Sequence, residues 1–194
     1  MARPIEYDKS EVLSKAMETF WHNGYESTSM KDLIASTGLT TRSMYNLFGS
    51  KNGLFQEALA WYYETIVRSQ FEALKKGKGI AAIESFIMEI TGIFDASNGC
   101  LYTNTMSERY SIQMASMRMV DDFFDELTAV FIEKLTYAKQ YEGYDEDPVI
   151  GAQFLIVIVQ GMSVYSKKFK VREERRQALA GILGFLRRQM TDDR

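Results

Sequence analysis

Three polar side chains, Arg42, Tyr45 and Asn46, occur at a spacing that suits the reading of DNA bases. An α-helix has about 3.6 residues per turn, so these side chains fall on one side of a helix that begins near Thr40. An arginine guanidinium can donate two hydrogen bonds to guanine O6 and N7, and an asparagine amide can pair with adenine N6 and N7. The segment therefore predicts a helix face that bonds to base edges in the major groove of B-DNA.

Hydroxyl groups and lysines around this face are suited to contacts with phosphates or bases. Lys51 follows a predicted N-cap at Ser50, where a lysine presents its charge together with unpaired backbone N–H groups to a phosphate. Thr28 is predicted to hold another phosphate in the same way. The complete set of predicted DNA-binding residues is Thr28, Lys31, Thr40, Thr41, Arg42, Ser43, Tyr45, Asn46 and Lys51.

Two short helices are predicted to position these side chains. The first begins at Ser29, whose hydroxyl can accept a bond from an unpaired backbone N–H, and ends at Gly38, which adopts the left-handed conformation without steric cost. Thr40 caps the second helix, in which Met44 and Phe48 lie one turn apart and face inward. Two capped helices around a glycine turn are typical of a helix-turn-helix.

This segment resembles the signature of the tetracycline-repressor (TetR) family of bacterial transcriptional regulators. The matching residues are Gly24-Tyr25, Thr28, Asp32-Leu33-Ile34-Ala35, Gly38-Leu39-Thr40, Met44-Tyr45, Phe48 and Lys51. Together with the amphipathic helix that precedes them, they span about a quarter of the chain. The resemblance implies a regulator of transcription, usually a repressor, that is released from double-stranded operator DNA by a small molecule.

Two positions depart from the family pattern. Arg42 stands where the family often has a small residue, so the resemblance implies an unusual base preference. Leu47 stands where the family often has a histidine that reaches a phosphate, so we expect that contact to be absent and Leu47 to pack inward.

Composition agrees with a helical, cytoplasmic protein. The chain has 194 residues with 46% hydrophobic content, and its two prolines, Pro4 and Pro148, leave long stretches open to helix formation. The formal net charge is -3, so binding to DNA must depend on the local placement of cations. The longest apolar run, Phe154 to Val159, is far shorter than the roughly 20 residues of a membrane span.

The predicted fold is all-α, with a three-helix DNA-binding domain at residues 1–50 and a helical ligand-binding and dimerisation domain at 51–194. A first helix follows the N-cap Asp8, and a long helix over 51–74 joins the two domains. Further helices are predicted at about 80–96, 100–109, 112–141, 148–169 and 172–190.

The last two helices carry apolar stripes that predict a homodimer. The stripes are Ile150, Phe154, Ile158 and Met162, followed by Leu179, Ile182, Leu183, Leu186 and Met190. Two such helices from each protomer can form a four-helix bundle across a two-fold axis, and two recognition helices can then read an inverted repeat. The alternative is that the stripes close the core of the monomer.

The C-terminal domain is rich in large adaptable side chains that suit a pocket for a small apolar or aromatic effector. The candidate lining residues are Trp61, Phe86, Phe94, Cys100, Tyr102, Met106, Tyr110, Met114, Met117, Phe123, Phe124 and Tyr165. Each of them can equally belong to an ordinary core. Cys100 adds the possibility of an electrophilic or oxidising effector, and its alternative is a buried packing role.

The sequence argues against catalysis by familiar site types. His22 and Cys100 are the sole histidine and cysteine and lie far apart in sequence, which disfavours a Cys-His nucleophile or a zinc site. We expect no cofactor, no metal and no enzyme activity. Two other interpretations remain open: a helical ligand-binding protein or enzyme with a purely structural helix-turn-helix, and a dimeric DNA-binding regulator without an effector.

Overall fold

The computed structural model describes residues 7–95, 98–168 and 172–188, and these ranges contain helices and no strand. The helices are α1 (Lys9–Asn23), α2 (Met30–Thr37), α3 (Thr41–Phe48), α4 (Lys51–Tyr62), α5 (Arg68–Lys76), α6 (Gly79–Asp95), α7 (Leu101–Ser107), α8 (Met114–Tyr141), α9 (Pro148–Lys168) and α10 (Arg172–Arg188). A π-helical turn covers Tyr63–Val67 and a 3-10 turn covers Arg109–Ser111. The predicted all-α fold is confirmed.

The chain forms two compact units. The head unit comprises Met1–Thr65 and Asn104–Val120, and the body unit comprises Ile66–Thr103 and Asp121–Arg194. The boundary therefore differs from a division after residue 50. The head unit extends further because α4 packs along α1.

The apolar stripe of α1 forms the centre of the head unit. The rings of Phe20 and Phe55 pack edge to face with centroids 4.8 Å apart, and both side chains are buried. Leu33 of α2 and Leu59 of α4 are buried as well. Full burial of one such side chain contributes about 1.5–3 kcal/mol, so these contacts hold α2 and α4 against α1.

Side-chain caps define the two short helices as the sequence predicts. Ser29 Oγ accepts from the backbone N–H of Asp32 at 3.2 Å, and the Asp32 carboxylate accepts from the backbone N–H of Ser29 at 2.9 Å. Gly38 ends α2 with φ 75°, in the left-handed region. Thr40 Oγ1 accepts from the backbone N–H of Ser43 at 3.1 Å and starts α3. The predicted ends of the helix pair are confirmed.

The long helix after residue 51 differs from the prediction in one respect. The π-helical turn Tyr63–Val67 joins α4 to α5, and regular 3.6-residue periodicity does not predict it. The Thr65 hydroxyl donates to the Trp61 carbonyl at 2.7 Å, which gives a side-chain partner to a carbonyl beside this turn. Helical structure then continues to Lys76.

Two carboxylates cap helices of the body unit. Glu142 Oε2 accepts from the backbone N–H of Ile80 at 2.9 Å and ties the start of α6 to the end of α8. Pro148 occupies the first position of α9, as the sequence predicts. Asp147 Oδ1 accepts from the backbone N–H of Val149 at 2.7 Å and caps that helix.

The predicted four-residue stripe on α9 does not stay on one face. Ile150 and Phe154 are exposed, Ile158 is half-buried and Met162 is buried. A step of four residues turns by about 40° more than one helical turn, so three steps rotate the side chain by about 120°. The prediction of a single seam through Met162 is therefore wrong.

The exposed apolar surface of α9 instead alternates steps of four and three residues. We call the exposed side chains of Ile150, Phe154, Val157 and Val164 the α9 face. The ring of Phe185 on α10 extends it, with its centroid 5.1 Å from that of Phe154. This alternation keeps side chains on one side of a helix, as in a coiled-coil seam.

The α10 stripe is only partly buried within the monomer. Leu179, Ile182 and Leu183 are half-buried, Leu186 is buried, and Met190 lies outside the described residues. By length and composition alone, the α9 segment Pro148–Lys167 could cross a membrane, and the core helix of a soluble protein meets the same criteria. The side of α9 opposite the α9 face buries Ala152, Leu155 and Val159.

Candidate nucleic-acid interface

The outward face of α3 presents the three side chains predicted to read bases. Arg42 and Asn46 are exposed, and Tyr45 is 49% exposed. Met44 and Phe48 on the opposite side are buried in the head unit. This arrangement leaves a polar surface on a short helix whose other side is anchored by apolar contacts.

The hydroxyl groups at the start of α3 serve its cap. Thr40 is exposed, and its Oγ1 lies 2.9 Å from Ser43 Oγ. Thr41 is exposed at the first position of α3, and Lys31 is exposed on α2. The structure thus brings Lys31, Thr40 and Thr41 to the surface of the helix pair.

Lys51 is half-buried rather than extended into solvent. Its Nζ lies 4.3 Å from the centroid of the Tyr25 ring and donates to the Glu26 carbonyl at 3.3 Å. Burial lowers the pKa of Lys51, and the carboxylates of Glu108 and Glu26 act in the opposite direction. Lys51 is therefore held in a defined position at the start of α4, where Ser50 Oγ accepts from the backbone N–H of Gly53 at 3.0 Å.

Thr28 differs from the expected phosphate contact. Its relative exposure is 0%, and its hydroxyl donates to the Gly24 carbonyl at 2.6 Å. A side chain with no accessible surface cannot reach a phosphate, so the prediction for Thr28 is corrected to support of the turn before α2.

Glu108 also contributes to this region, although its sequence context does not predict it. Its Oε2 accepts from the backbone N–H of Tyr25 at 2.7 Å, and its Oε1 lies 3.4 Å from the backbone N of Glu26. The partners are more than 80 residues apart, so helical period and capping rules give no signal for this contact.

Six predicted effector-pocket residues belong to the body unit and are buried or half-buried. They are Phe86, Cys100, Tyr102, Phe123, Phe124 and Tyr165. The ring centroid of Phe123 lies 4.9 Å from that of Tyr102 and 5.3 Å from that of Phe124. The backbone N–H of Cys100 donates to Ser163 Oγ at 2.7 Å.

The remaining candidates for the pocket have other placements. Trp61, Met106 and Met117 belong to the head unit, where Met117 is buried and the other two are half-buried. Tyr110 is fully exposed and Met114 largely exposed, so the prediction that they line a cavity is wrong. Aromatic and methionine content identifies neither the side of a helix nor its depth. The side chain of Phe94 lies outside the described residues.

The titratable side chains give no sign of a metal centre within the described ranges. No group of three His, Cys, Asp or Glu side chains there is arranged to hold an ion. His22 is exposed in the last turn of α1, where a cation complements the helix dipole.

A buried anchor, a left-handed glycine turn and an exposed polar second helix define a helix-turn-helix protein that binds DNA. Residues 12–58 match the family model described as "Bacterial regulatory proteins, tetR family". Residues 12–58 are therefore a DNA-binding domain of the TetR type, and the chain as a whole is similar to TetR-family transcriptional regulators.

Relatives and solved structures agree over most of the chain. The HTH-type transcriptional repressor ComR of Escherichia coli K12 is 28% identical over 176 residues, which cover 86% of this chain and 82% of ComR. The uncharacterized HTH-type transcriptional regulator YezE of Bacillus subtilis 168 is 29% identical over 162 residues, which cover 80% of this chain and 84% of YezE. A solved structure of a cysteine mutant of the TetR family regulator CifR, in complex with 26 bp operator DNA, has a TM-score of 0.78 and 25% sequence identity to this chain. The match covers 94% of this chain and 98% of the CifR chain. These relatives are regulators rather than enzymes.

Proposed function

We propose that this regulator is a repressor that binds a palindromic operator as a homodimer and leaves it when a small molecule binds the body unit. A repressor role is supported by the likeness to ComR, and operator binding by the likeness to the CifR complex. The expected location of such a protein is the cytoplasm. The observation that carries the proposal is the exposed polar face of α3.

Each side chain on that face has a role that follows from its chemistry. Arg42 donates two hydrogen bonds to one guanine, and Asn46 makes a paired contact with one adenine. Tyr45 and Thr41 donate hydroxyl hydrogen bonds to phosphates or base edges. Lys31 and Lys51 form charge contacts with DNA phosphates, and Thr40 and Ser43 support the start of α3.

Dimerisation is proposed through the α9 face and α10. The exposed side chains of Ile150, Val157 and Val164 form an apolar surface on one side of α9, and a contiguous apolar surface of this kind favours an interaction site. Beside it lies a groove of about 250 Å³ whose lining includes Phe154 and Phe185. A second copy related by a two-fold axis covers both features, and its side chains fill the groove. Binding to an inverted repeat requires the two α3 helices of such a dimer to be about 34–36 Å apart, one turn of DNA.

The proposed effector is a small apolar or aromatic molecule bound among the aromatic side chains of the body unit. The buried hydroxyl of Thr103 has no hydrogen-bond partner within the described part of the chain, and a ligand oxygen can supply one. Burial of Cys100 favours a non-covalent effector over an electrophile. Release follows if the ligand prefers a state in which the two α3 helices no longer match the grooves.

The test begins with selection of bound fragments from random DNA. The proposal expects an inverted repeat whose half-site centres are one helical turn apart. Arg42→Ala then loses a bidentate contact of about 1–3 kcal/mol in each half-site, so operator affinity falls at least about 30-fold and selectivity at one guanine is lost.

The matched control removes an arginine elsewhere in the head unit. Arg118 is exposed on α8 and contacts the sulfur of Met114, so Arg118→Ala should retain operator affinity within about threefold. Fluorescence anisotropy measures both variants, and circular dichroism verifies their helix content. Equal affinity of the wild type and folded Arg42→Ala would refute base reading by α3.

A further inference from the structure

A turn between α1 and α2 depends on a carboxylate from a distant part of the sequence. The turn contains Gly24, Tyr25 and Glu26, and it connects the end of α1 to the helix-turn-helix. Glu108, between α7 and the 3-10 turn, accepts from the Tyr25 backbone N–H at 2.7 Å. Its second oxygen lies 3.4 Å from the Glu26 backbone N. An ionised acceptor on successive N–H groups makes a stronger bond than a neutral one.

Gly24 makes this approach possible. Its φ is 80°, and a Cβ atom built on it would lie 2.6 Å from Glu108 Oε1. Any larger residue would be strained in this conformation and would displace the carboxylate. The glycine and the carboxylate thus fit one another as a pair.

The same turn provides the seat of Lys51. The Tyr25 ring lies under the Lys51 ammonium, with 4.3 Å from Nζ to the ring centroid, and the Glu26 carbonyl accepts from Nζ at 3.3 Å. The carboxylate of Glu108 also acts on Lys51 as a nearby opposite charge. A change in the position of the turn therefore changes the position of the ammonium.

Two further contacts fix the residues around this seat, and both come from the Asn104–Val120 segment of the head unit. The Ser111 hydroxyl donates to Glu26 Oε2 at 3.0 Å. The buried Ser116 hydroxyl donates to Asn52 Oδ1 at 3.0 Å, next to Lys51 at the start of α4. The segment thus supports the turn and the start of α4 at several points.

We propose that Glu108 is a positioning residue for DNA binding, which holds the Gly24–Glu26 turn so that Lys51 is directed at an operator phosphate. The proposal rests on the proposed DNA-binding function. A lysine side chain has several rotatable bonds, and ordering it at a phosphate has an entropic cost. A preformed seat lowers that cost before DNA arrives.

A double-mutant cycle on the full-length chain tests the proposal. Glu108→Gln keeps the size of the side chain and removes its charge, and Lys51→Met keeps most of the side-chain length and removes the ammonium. Each single variant should lose about tenfold in operator affinity, and the double variant should lie within about threefold of either one. The slope of log affinity against log salt should fall by about two in both single variants, one for each half-site.

The control is Glu18→Gln, an exposed position on α1 in the same unit. Loss of a negative charge by itself favours DNA binding, so this control should bind as well as the wild type or slightly better. A weaker Glu108→Gln complex then cannot arise from net charge. A purely structural role of Glu108 would lower the unfolding temperature and leave the salt slope unchanged.

Additive losses in the cycle, or a Glu108→Gln variant that binds like Glu18→Gln, would overturn the proposal. If Glu108→Gln does not fold, Ser111→Ala takes its place in the cycle with Lys51→Met, and additivity there has the same meaning. Failure of the wild type to bind any selected operator would instead count against the proposed function.

Discussion

Val157→Glu is the sharpest test of how two copies of this protein associate. Val157 lies in the middle of the α9 face and is 64% exposed. Glutamate is a good helix former and adds no clash at an exposed position, so the monomer should keep its helix content and most of its stability. In the proposed dimer the same position is covered by the partner.

The expected loss follows from the exposure of the side chain. Burial of a whole valine contributes about 1.5–3 kcal/mol, and the exposed 64% corresponds to about 1–2 kcal/mol for each protomer. Two carboxylates near a two-fold axis add desolvation and repulsion of similar size. The total of at least about 4 kcal/mol raises the dimer dissociation constant roughly 1,000-fold.

Sedimentation equilibrium measures this shift directly, and anisotropy with the selected operator measures its consequence. A monomer engages one half-site at a time, so operator affinity should fall about 100-fold or more. Met88→Glu on α6 is the control, because Met88 is 49% exposed but lies outside the α9 face. A folded Val157→Glu protein that remains dimeric at the concentrations at which the wild type is dimeric would refute the proposed interface.

Two further predictions concern the effector and the helix-turn-helix. Cys100→Ser should not change operator release by the effector or by an added quinone, because Cys100 is buried. An anisotropy assay measures this release, and loss of the quinone response alone would identify thiol chemistry as the trigger. Hydrogen bonds from Ser29 lower the pKa of Asp32 below its ordinary 3.8, so Asp32 stabilises the fold above that pH, and the contribution is lost as pH falls through the lowered value. Thermal unfolding of the wild type and Asp32→Asn should therefore differ at neutral pH and converge in acid; a constant difference would contradict this.

The helix ends of the head unit are predictable because their chemistry is local. Ser29, Thr40 and Ser50 each accept a hydrogen bond from a backbone N–H three residues ahead, and Gly38 is the C-cap of α2. The outward direction of Arg42 follows from the same short-range geometry. These features need no knowledge of the rest of the chain.

Features that depend on distant partners escape this kind of reasoning. Glu108 meets Tyr25 across more than 80 residues, and only the packed structure brings them together. The burial of Thr28 likewise depends on the packing around the turn. The predicted stripe on α9 is wrong for a different reason. A four-residue repeat rotates gradually around a helix, so the stripe ends with Met162 in the core.

The two sides of α3 can change independently of one another. Met44 and Phe48 keep the helix attached, whereas Arg42 and Asn46 contribute nothing to the buried core. Substitution of the outer residues should therefore leave the free energy of unfolding nearly unchanged, so the sequence can vary there without loss of the fold. Substitution of the inner residues should lower that free energy.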